Sequence, residues 1–194
     1  MPADKYPSFA ALATHEKEGR DYRIRLHCRG SRIVIVAPHG GNIEPGTSKI
    51  AAEIAAEEYS LYCFEGLRKK SRELHITSTN FDELKCRQLV EASQILIGVH
   101  GRADKENDRQ TVWLGGLDKS LRDAVKEALK HAGFKATTDH NLKGENAENI
   151  CNKGLTGKGV QLELPKTLRD ELAENPRLLK EFGDAVRRAI CDRA

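Results

Sequence analysis

Four side chains able to bind a metal ion or to move a proton follow apolar runs of this sequence: His39, Glu44, His100 and Glu163. The runs themselves are residues 33–37, 95–99 and 160–162. In open α/β sheets, ligands bind beyond the carboxyl ends of the strands. Polar residues at such positions are therefore candidates for one common site.

Two imidazoles and one carboxylate, with a fourth position left for water, are a ligand set suited to catalytic zinc. We therefore predict that His39, Glu44 and His100 bind Zn²⁺. Glu163 is predicted to take a proton from an attacking water and to deliver it to a departing amine, while the metal stabilises the oxyanion. The pattern thus favours metal-assisted hydrolysis of an amide bond.

His75 competes with His100 for the third ligand position. It lies inside an alternating run at residues 74–77, which predicts a place in the middle of a strand and a structural role beside the metal ligands. Each candidate also has a simpler interpretation. Glu44 fits a turn, and Glu163 fits the exposed face of a strand. The coincidence at several strand ends favours the metal site.

Stretches with the pattern of strands alternate with stretches that have the pattern of helices. The predicted strands are residues 22–28, 33–37, 59–64, 74–77, 95–99, 112–114, 134–137 and 160–164. The predicted helices are residues 47–58, 82–92 and 117–132, followed by two more after Pro165, of which the last starts at Pro176. This order predicts an α/β fold, a layered sheet flanked by helices, with an edge or half-exposed strand at 22–28 and a buried central strand at 33–37.

Length and charge exclude several classes of protein. The 194 residues suit one catalytic domain, residues 1–194, with roughly the first 20 residues peripheral. The net charge is only +3 and the basic runs are short, which argues against a nucleic-acid partner. No stretch has the length and apolar character of a signal peptide or a membrane span, so we expect a cytoplasmic monomer that does not bind membranes.

The five cysteines contain no C-x-x-C pair and are widely spaced. They are predicted to be reduced thiols, not a zinc ribbon or a disulfide scaffold. Cys151 lies in a long loop predicted at residues 143–158, which is the best candidate for a functional loop. A cysteine hydrolase built on Cys151 is therefore an alternative, although a small buried thiol is the commoner role.

The segment from Ala37 to Thr47, APHGGNIEPGT, resembles the signature of the phage-type poly-γ-glutamate hydrolases, which are zinc peptidases. Further blocks resemble that family in the same order, at residues 64–67, 74–79, 99–101, 149–152 and 159–164. Together they cover the chain from about Tyr22 to Arg169.

The resemblance implies a fold similar to that of zinc carboxypeptidases, with a mixed, mostly parallel sheet and helices on both faces. It also implies zinc ligands at His39, Glu44 and His100, with Glu163 as the general base. The spacing departs from that of ordinary carboxypeptidases, which place the first two ligands as H-x-x-E, whereas this chain has H-x-x-x-x-E. Glu44 must therefore reach back through a longer loop.

The implied substrate is poly-γ-glutamate or a related γ-glutamyl compound, which carries one free α-carboxylate per residue. Side chains predicted to contact it are Thr77, Asn80 and Asn152. Two alternatives stay open at this point. One is a zinc amidohydrolase or peptidase for small N-acyl amino acids, since a fold and a metal set do not define a substrate. The other is a non-catalytic relative that binds zinc or a glutamyl ligand.

Overall fold

The computed structural model describes residues 4–191 and contains one seven-stranded sheet. The strands are β1 Tyr22–His27, β2 Ile33–Gly41, β3 Ser60–Gly66, β4 Ile95–Arg102, β5 Thr111–Gly115, β6 Lys135–Thr137 and β7 Val160–Pro165. The helices are α1 Phe9–Ala13, α2 Thr47–Ala55, α3 Leu84–Glu91, α4 Lys119–His131, α5 Lys166–Glu174 and α6 Pro176–Cys191. Two short 3-10 turns, Ser71–Leu74 and Ile150–Asn152, lie between them.

The strand order is β1-β3-β2-β4-β7-β5-β6. Strand β1 is antiparallel to β3, and β5 is antiparallel to β7, whereas the other neighbouring strands described here run parallel. This confirms the predicted α/β fold with a mixed, mostly parallel sheet. It also confirms the position of β1 at one edge and of β2 in the interior.

Helices cover both faces of the sheet because each face is apolar. On one face, α2, α4, α5 and α6 bury side chains such as Ile54, Leu129 and Phe182 against the sheet. On the other face, α1 and α3 contribute Leu12 and Val90 to a second core. Since successive strand residues point to opposite faces, the central strands supply both cores.

Helix α4 begins two residues after and ends one residue before its predicted bounds of 117–132, and sequence signals mark both ends. The Asp118 carboxylate accepts the backbone N–H of Leu121 at the amino end, which satisfies one of the free donors of the first turn. Gly133 follows the last turn with φ +87°, a left-handed conformation that glycine adopts without strain.

The strand predicted at residues 74–77 is wrong. Leu74 ends a 3-10 turn, and His75, Ile76 and Thr77 lie outside regular structure. Leu74 and Ile76 are nevertheless fully buried in the second core, while the residues beside them are not. The alternation in the sequence therefore reflects packing of a loop against the core instead of pairing with a strand.

Several strands continue beyond their predicted ends, and this changes where the site residues lie. Strand β2 extends to Gly41 after a shift of register against β3 between Ala37 and Gly40, so that His39 belongs to the strand. His100 likewise lies within β4, whereas Glu163 lies within β7, as the strand predicted at residues 160–164 requires. Between residues 4 and 191, no helix combines the length and apolar character that crossing a bilayer requires.

We expect Leu129→Ala to lower the free energy of unfolding by about 2–5 kcal/mol, because Leu129 is fully buried on the inner face of α4 and truncation leaves a cavity. The same substitution at Leu84, which is 66% exposed, should change it by less than about 0.5 kcal/mol. Urea denaturation measures both values. Equal midpoints for the two variants would contradict the described core.

Candidate metal centre and cavity

The carboxyl ends of three neighbouring strands carry the candidate site residues. His39 lies in β2, His100 in β4 and Glu163 in β7, while Glu44 lies in the loop between β2 and α2. His100 and Glu163 are directly opposite each other in the parallel β4–β7 pair. The two side chains therefore project from the same face of the sheet.

Three of these side chains converge on one point. The Nδ1 atoms of His39 and His100 are 3.2 Å apart, and His39 Nδ1 lies 3.4 Å from Glu44 Oε2. The ligand atoms of all three residues lie within 4.8 Å of one another. All three residues are buried, so bulk water does not separate them.

The neighbours of the imidazoles determine which nitrogens face the centre. His39 Nε2 lies 2.7 Å from the Ile76 carbonyl oxygen, which can only accept a hydrogen bond, so this nitrogen carries the proton. The Nδ1 lone pair then points to the shared centre. His100 also turns Nδ1 to the centre, and its buried Nε2 has no hydrogen-bond partner among residues 4–191.

The charges at the centre depend on one another. Burial and the neighbouring His39 lower the pKa of His100 to about 3. Burial would raise the pKa of Glu44, but the adjacent imidazoles and the Gly101 backbone lower it to about 2. For His39, burial opposes protonation, yet the Glu44 carboxylate raises its pKa above the usual value. The centre therefore combines the Glu44 carboxylate with His39, whose proton affinity is raised, and His100, whose proton affinity is lowered.

This donor set fits a divalent cation. Lone pairs of two imidazoles 3.2 Å apart repel unless a proton or a metal ion lies between them. Two nitrogen ligands and one carboxylate oxygen are a set that Zn²⁺ takes in catalytic sites, where the fourth position belongs to water or substrate. The residues present therefore match zinc chemistry.

Glu163 adjoins the centre and is held by a chain of amide side chains. Asn149 Nδ2 donates to Gln161 Oε1 over 2.9 Å, and Gln161 Nε2 donates to Glu163 Oε1 over 2.6 Å. Burial, and then the charge of Glu44, raise the pKa of Glu163 well above its ordinary range. Glu163 is thus an oriented carboxyl group with a high proton affinity, and the sequence pattern had not pointed to its two amide partners.

A buried arginine donates hydrogen bonds to the three segments that carry the site. Arg169 of α5 donates to the carbonyl oxygens of Leu164 (3.2 Å) and Arg102 (3.3 Å), and to that of Pro45 through its second Nη. These carbonyls belong to β7, to β4 and to the loop of Glu44. Arg169 is 5% exposed although it lies on a surface helix. The sequence does contain a sign of this buried role, because the arginine lies on the apolar face of α5, beside Leu168.

Gly101 allows Arg169 to pack behind the centre. Its backbone N–H donates to Glu44 Oε2 over 2.7 Å, which orients the carboxylate towards His39. A Cβ atom at this position would lie 2.6 Å from the Arg169 Cζ atom, closer than packing permits. The glycine is therefore required by the approach of the guanidinium.

A cavity of 340 Å³ opens above the centre. Its walls come from the residues at 72–79, from the loop at 141–149 and from the sheet. Charged and polar groups in the walls are Asp4, Arg72, Thr77, Ser78, Thr79, Asn141, Lys143, Glu145, Asn146, Asn149 and Gln161. The loop predicted at residues 143–158 thus contributes to the cavity through its first part.

The structure separates the three predicted substrate contacts. Thr77 lines the cavity above the centre. Asn80 lines a neighbouring cavity of 370 Å³, which shares Thr79 with the first. Asn152 is buried and lines neither of these cavities. Its side chain bonds the carbonyls of Gly144 and Asn146, and it accepts from backbone N–H groups, so it holds the loop at 141–149 in place.

His75 lies beside the centre but outside the cluster of ligand atoms. Its ring centroid is 4.1 Å from that of His39. Its Nδ1 lies 2.6 Å from Asp4 Oδ1, so its hydrogen bond is made with the N-terminal segment. The cluster contains His100 in its place.

Cys151 is fully buried, and burial together with the nearby Glu163 raises the pKa of its thiol to about 12. A thiol that keeps its proton near neutral pH is a poor nucleophile. This geometry gives the cysteine-hydrolase alternative no support.

The fold and the site define the molecule as an α/β protein with a buried candidate metal centre of two histidines and one carboxylate at the carboxyl ends of its parallel strands. The chain belongs to the poly-gamma-glutamate hydrolase family, whose model matches residues 6–183. The family resemblance inferred from the sequence motifs is thereby confirmed.

Two relatives from Bacillus subtilis strain 168 are similar over most of this chain. The SPbeta prophage-derived UPF0714 protein YoqZ is 40% identical over 176 residues, which are 89% of this chain and 62% of YoqZ. The UPF0714 protein YndL is 38% identical over 173 residues, which are 87% of this chain and 67% of YndL. This chain thus spans roughly two thirds of the length of these curated relatives.

Solved structures give the same assignment. A bacteriophage poly-gamma-glutamate hydrolase superposes with a TM-score of 0.91 at 28% identity, over 98% of both chains. Zinc-free YNDL superposes with a TM-score of 0.89 at 35% identity, also over 98% of both chains. An N-acetylmuramoyl-L-alanine amidase from Clostridium difficile 630 shares the fold alone, with a TM-score of 0.51 at 13% identity.

We expect Arg169→Met to destabilise the protein by at least about 2 kcal/mol, because it leaves buried carbonyl oxygens of three segments without donors. The same substitution at Arg177, whose side chain is 90% exposed, is the matched control and should leave stability unchanged. Guanidinium denaturation compares the two. A stable Arg169→Met protein would show that these three hydrogen bonds of Arg169 are dispensable.

Proposed function

We propose that this chain is a zinc-dependent hydrolase that cleaves the γ-glutamyl amide bonds of poly-γ-glutamate. One observation carries the proposal: two imidazole nitrogens and a carboxylate oxygen meet within 4.8 Å at the base of a cavity, beside a further buried carboxyl group. Membership of the poly-gamma-glutamate hydrolase family supports the substrate. The existence of a relative described as zinc-free supports the choice of metal.

His39, Glu44 and His100 are the residues that would hold the metal. Zinc bound there would act as a Lewis acid that activates water and stabilises negative charge on the substrate oxygen. The protein orients its ligands beforehand. The Ile76 carbonyl holds the His39 ring through Nε2, and the Gly101 N–H holds the Glu44 carboxylate. Such outer contacts orient metal ligands and increase their basicity.

Glu163 is assigned the proton transfers. Its carboxyl group lies beside His100 in the sheet, and Gln161 holds one of its oxygens so that the other is free for water. A high proton affinity, caused by burial and by Glu44, suits a group that accepts a proton from water and passes it to the leaving amine nitrogen.

The walls of the cavity suit a substrate with many carboxylates. Arg72 and Lys143 supply positive charge, and Thr77, Ser78 and Thr79 supply hydroxyl groups. Poly-γ-glutamate presents one α-carboxylate per residue, so a chain crossing the cavity meets these groups in turn. We also propose that residues 1–194 form one catalytic domain and that the protein acts as a monomer.

Purified protein is expected to contain about one zinc ion per chain and to lose its ability to shorten poly-γ-glutamate on chelation. His39→Ala should lose the metal, whereas His131→Ala, at the exposed end of α4, should retain it. Metal analysis and chain-length measurement test this. Full activity of chelated protein would remove the metal from the mechanism.

Glu163→Gln is expected to retain zinc and to lower kcat by about 10²–10⁴-fold, because the amide cannot accept the proton. The matched control is Glu106→Gln, an exposed residue outside the cavity, which should keep the wild-type rate. Single-turnover rates on poly-γ-glutamate provide the comparison. A variant that kept both zinc and rate would assign the proton transfer elsewhere.

A comparison of reaction rates tests whether the substrate is the polymer or a small compound. Rates on poly-γ-glutamate and on small N-acyl glutamates should differ in favour of the polymer, since the cavity above the centre adjoins a second one through Thr79. Faster turnover of the small compounds would identify an amidohydrolase of N-acyl amino acids. Bound zinc without turnover of either would identify a binding protein.

A further inference from the structure

The carboxylate of Asp4 lies inside the cavity, in a site made by His75 and Thr77. Its Oδ2 accepts the backbone N–H of Thr77 over 2.6 Å and the Thr77 hydroxyl over 2.7 Å. Its Oδ1 accepts His75 Nδ1–H over 2.6 Å. Both oxygens of one carboxylate are therefore bound, each by a short hydrogen bond.

The three donors form a receptor for a carboxylate. The shape of this receptor does not depend on Asp4. The donors lie within three residues of one another, in a segment anchored by the buried Leu74 and Ile76. A backbone N–H, a hydroxyl and an imidazole N–H directed at one anion form charge-assisted bonds, which are stronger than neutral ones. Thr77 is exposed to the cavity, so an incoming ligand can reach the same donors.

One peptide group connects this receptor to the candidate metal centre. The Thr77 N–H donates to Asp4, and the carbonyl of the same peptide group, that of Ile76, accepts from His39 Nε2. Because a peptide group is planar and polarisable, an anion at its N–H end strengthens the acceptor at its carbonyl end. A carboxylate in the receptor therefore lies one peptide group away from a proposed zinc ligand.

We propose that His75 and Thr77 form a carboxylate subsite beside the metal centre, which binds a free α-carboxylate of a γ-glutamyl ligand and which Asp4 occupies as an internal competitor. This inference rests on the proposed function for the identity of the ligand. Asp4 lies two residues before the range matched by the family model, 6–183. The N-terminal segment thus regulates access to a site built by the rest of the chain.

Competition by Asp4 sets the apparent affinity for a ligand. A ligand carboxylate binds only in the fraction of molecules whose subsite is free, and its apparent Kd rises in inverse proportion to that fraction. If Asp4 occupies the subsite nine-tenths of the time, its removal tightens binding about tenfold. An uncharged ligand makes no charge-assisted bonds with these donors, so it does not rely on the subsite and gains nothing.

The test is an NMR titration of chelated, metal-free protein with glutarate, a five-carbon dicarboxylate, and with its uncharged analogue glutaramide. Asp4→Ala should bind glutarate about tenfold more tightly than the wild type, with no change for glutaramide. Adding Thr77→Val, which removes the hydroxyl donor, should cancel much of that gain. Because neither zinc nor turnover is involved, the result is independent of whether the protein hydrolyses poly-γ-glutamate.

Glu145→Ala is the matched control, since Glu145 also places a carboxylate in the cavity wall but pairs with Arg122 and not with the donors of His75 and Thr77. It removes the same charge and leaves the receptor occupied. Equal affinity of wild type and Asp4→Ala would overturn the proposal, as would an equal gain in Glu145→Ala. Should Asp4→Ala fail to fold by thermal melting, Asp4→Asn, which keeps the side-chain volume without the charge, is expected to show a smaller gain, and no gain would again overturn it.

Discussion

The structure depends on the close approach of two imidazoles and one carboxylate in a buried site at the carboxyl ends of the parallel strands. Lone pairs of His39 and His100 approach to 3.2 Å in a buried site, with the Glu44 carboxylate beside them. Burying such groups is costly unless a cation or a shared proton joins them. The surrounding segments hold the arrangement in place through Arg169, which bonds backbone carbonyls of three segments, and through Gly101, which leaves room for it. These contacts hold the three side chains of the candidate metal centre in a preformed arrangement.

Charge around the centre is balanced by residues that do not face the cavity as ligands. Glu44 and Glu163 are both buried, and two buried arginines, Arg102 and Arg169, lie behind them. Arg102 stacks on Trp113 at 3.9 Å and pairs with Asp108 at 2.8 Å, so its charge is held at a defined place. The arginines lower the cost of burying two carboxylates, and the remaining proton affinity of Glu163 comes from burial and from Glu44. Burial and the charge of Glu44 therefore outweigh the two arginines and leave Glu163 with a raised pKa.

The sequence patterns predicted most of the sheet because its central strands are apolar on both faces, which leaves a clear signal. The patterns failed at residues 74–77, where Leu74 and Ile76 are buried by a loop and imitate the alternation of a strand. They also indicated a substrate contact for Asn152, whereas its amide donates to backbone carbonyls of the loop at 141–149. In both cases the same local sequence pattern is compatible with two different tertiary contacts, and only the packing partners show which of them is formed.

The sequence by itself determined the α/β fold, the order of most strands and helices, and the candidate residues His39, Glu44, His100 and Glu163. These follow from local periodicity and from motifs, which are properties of neighbouring residues. Only the tertiary structure decided that His100 and not His75 joins the cluster, that Arg169 supports it, and that Asp4 enters the cavity. These contacts join residues far apart in the chain, and their geometry depends on the whole sheet and its loops, which no local pattern encodes.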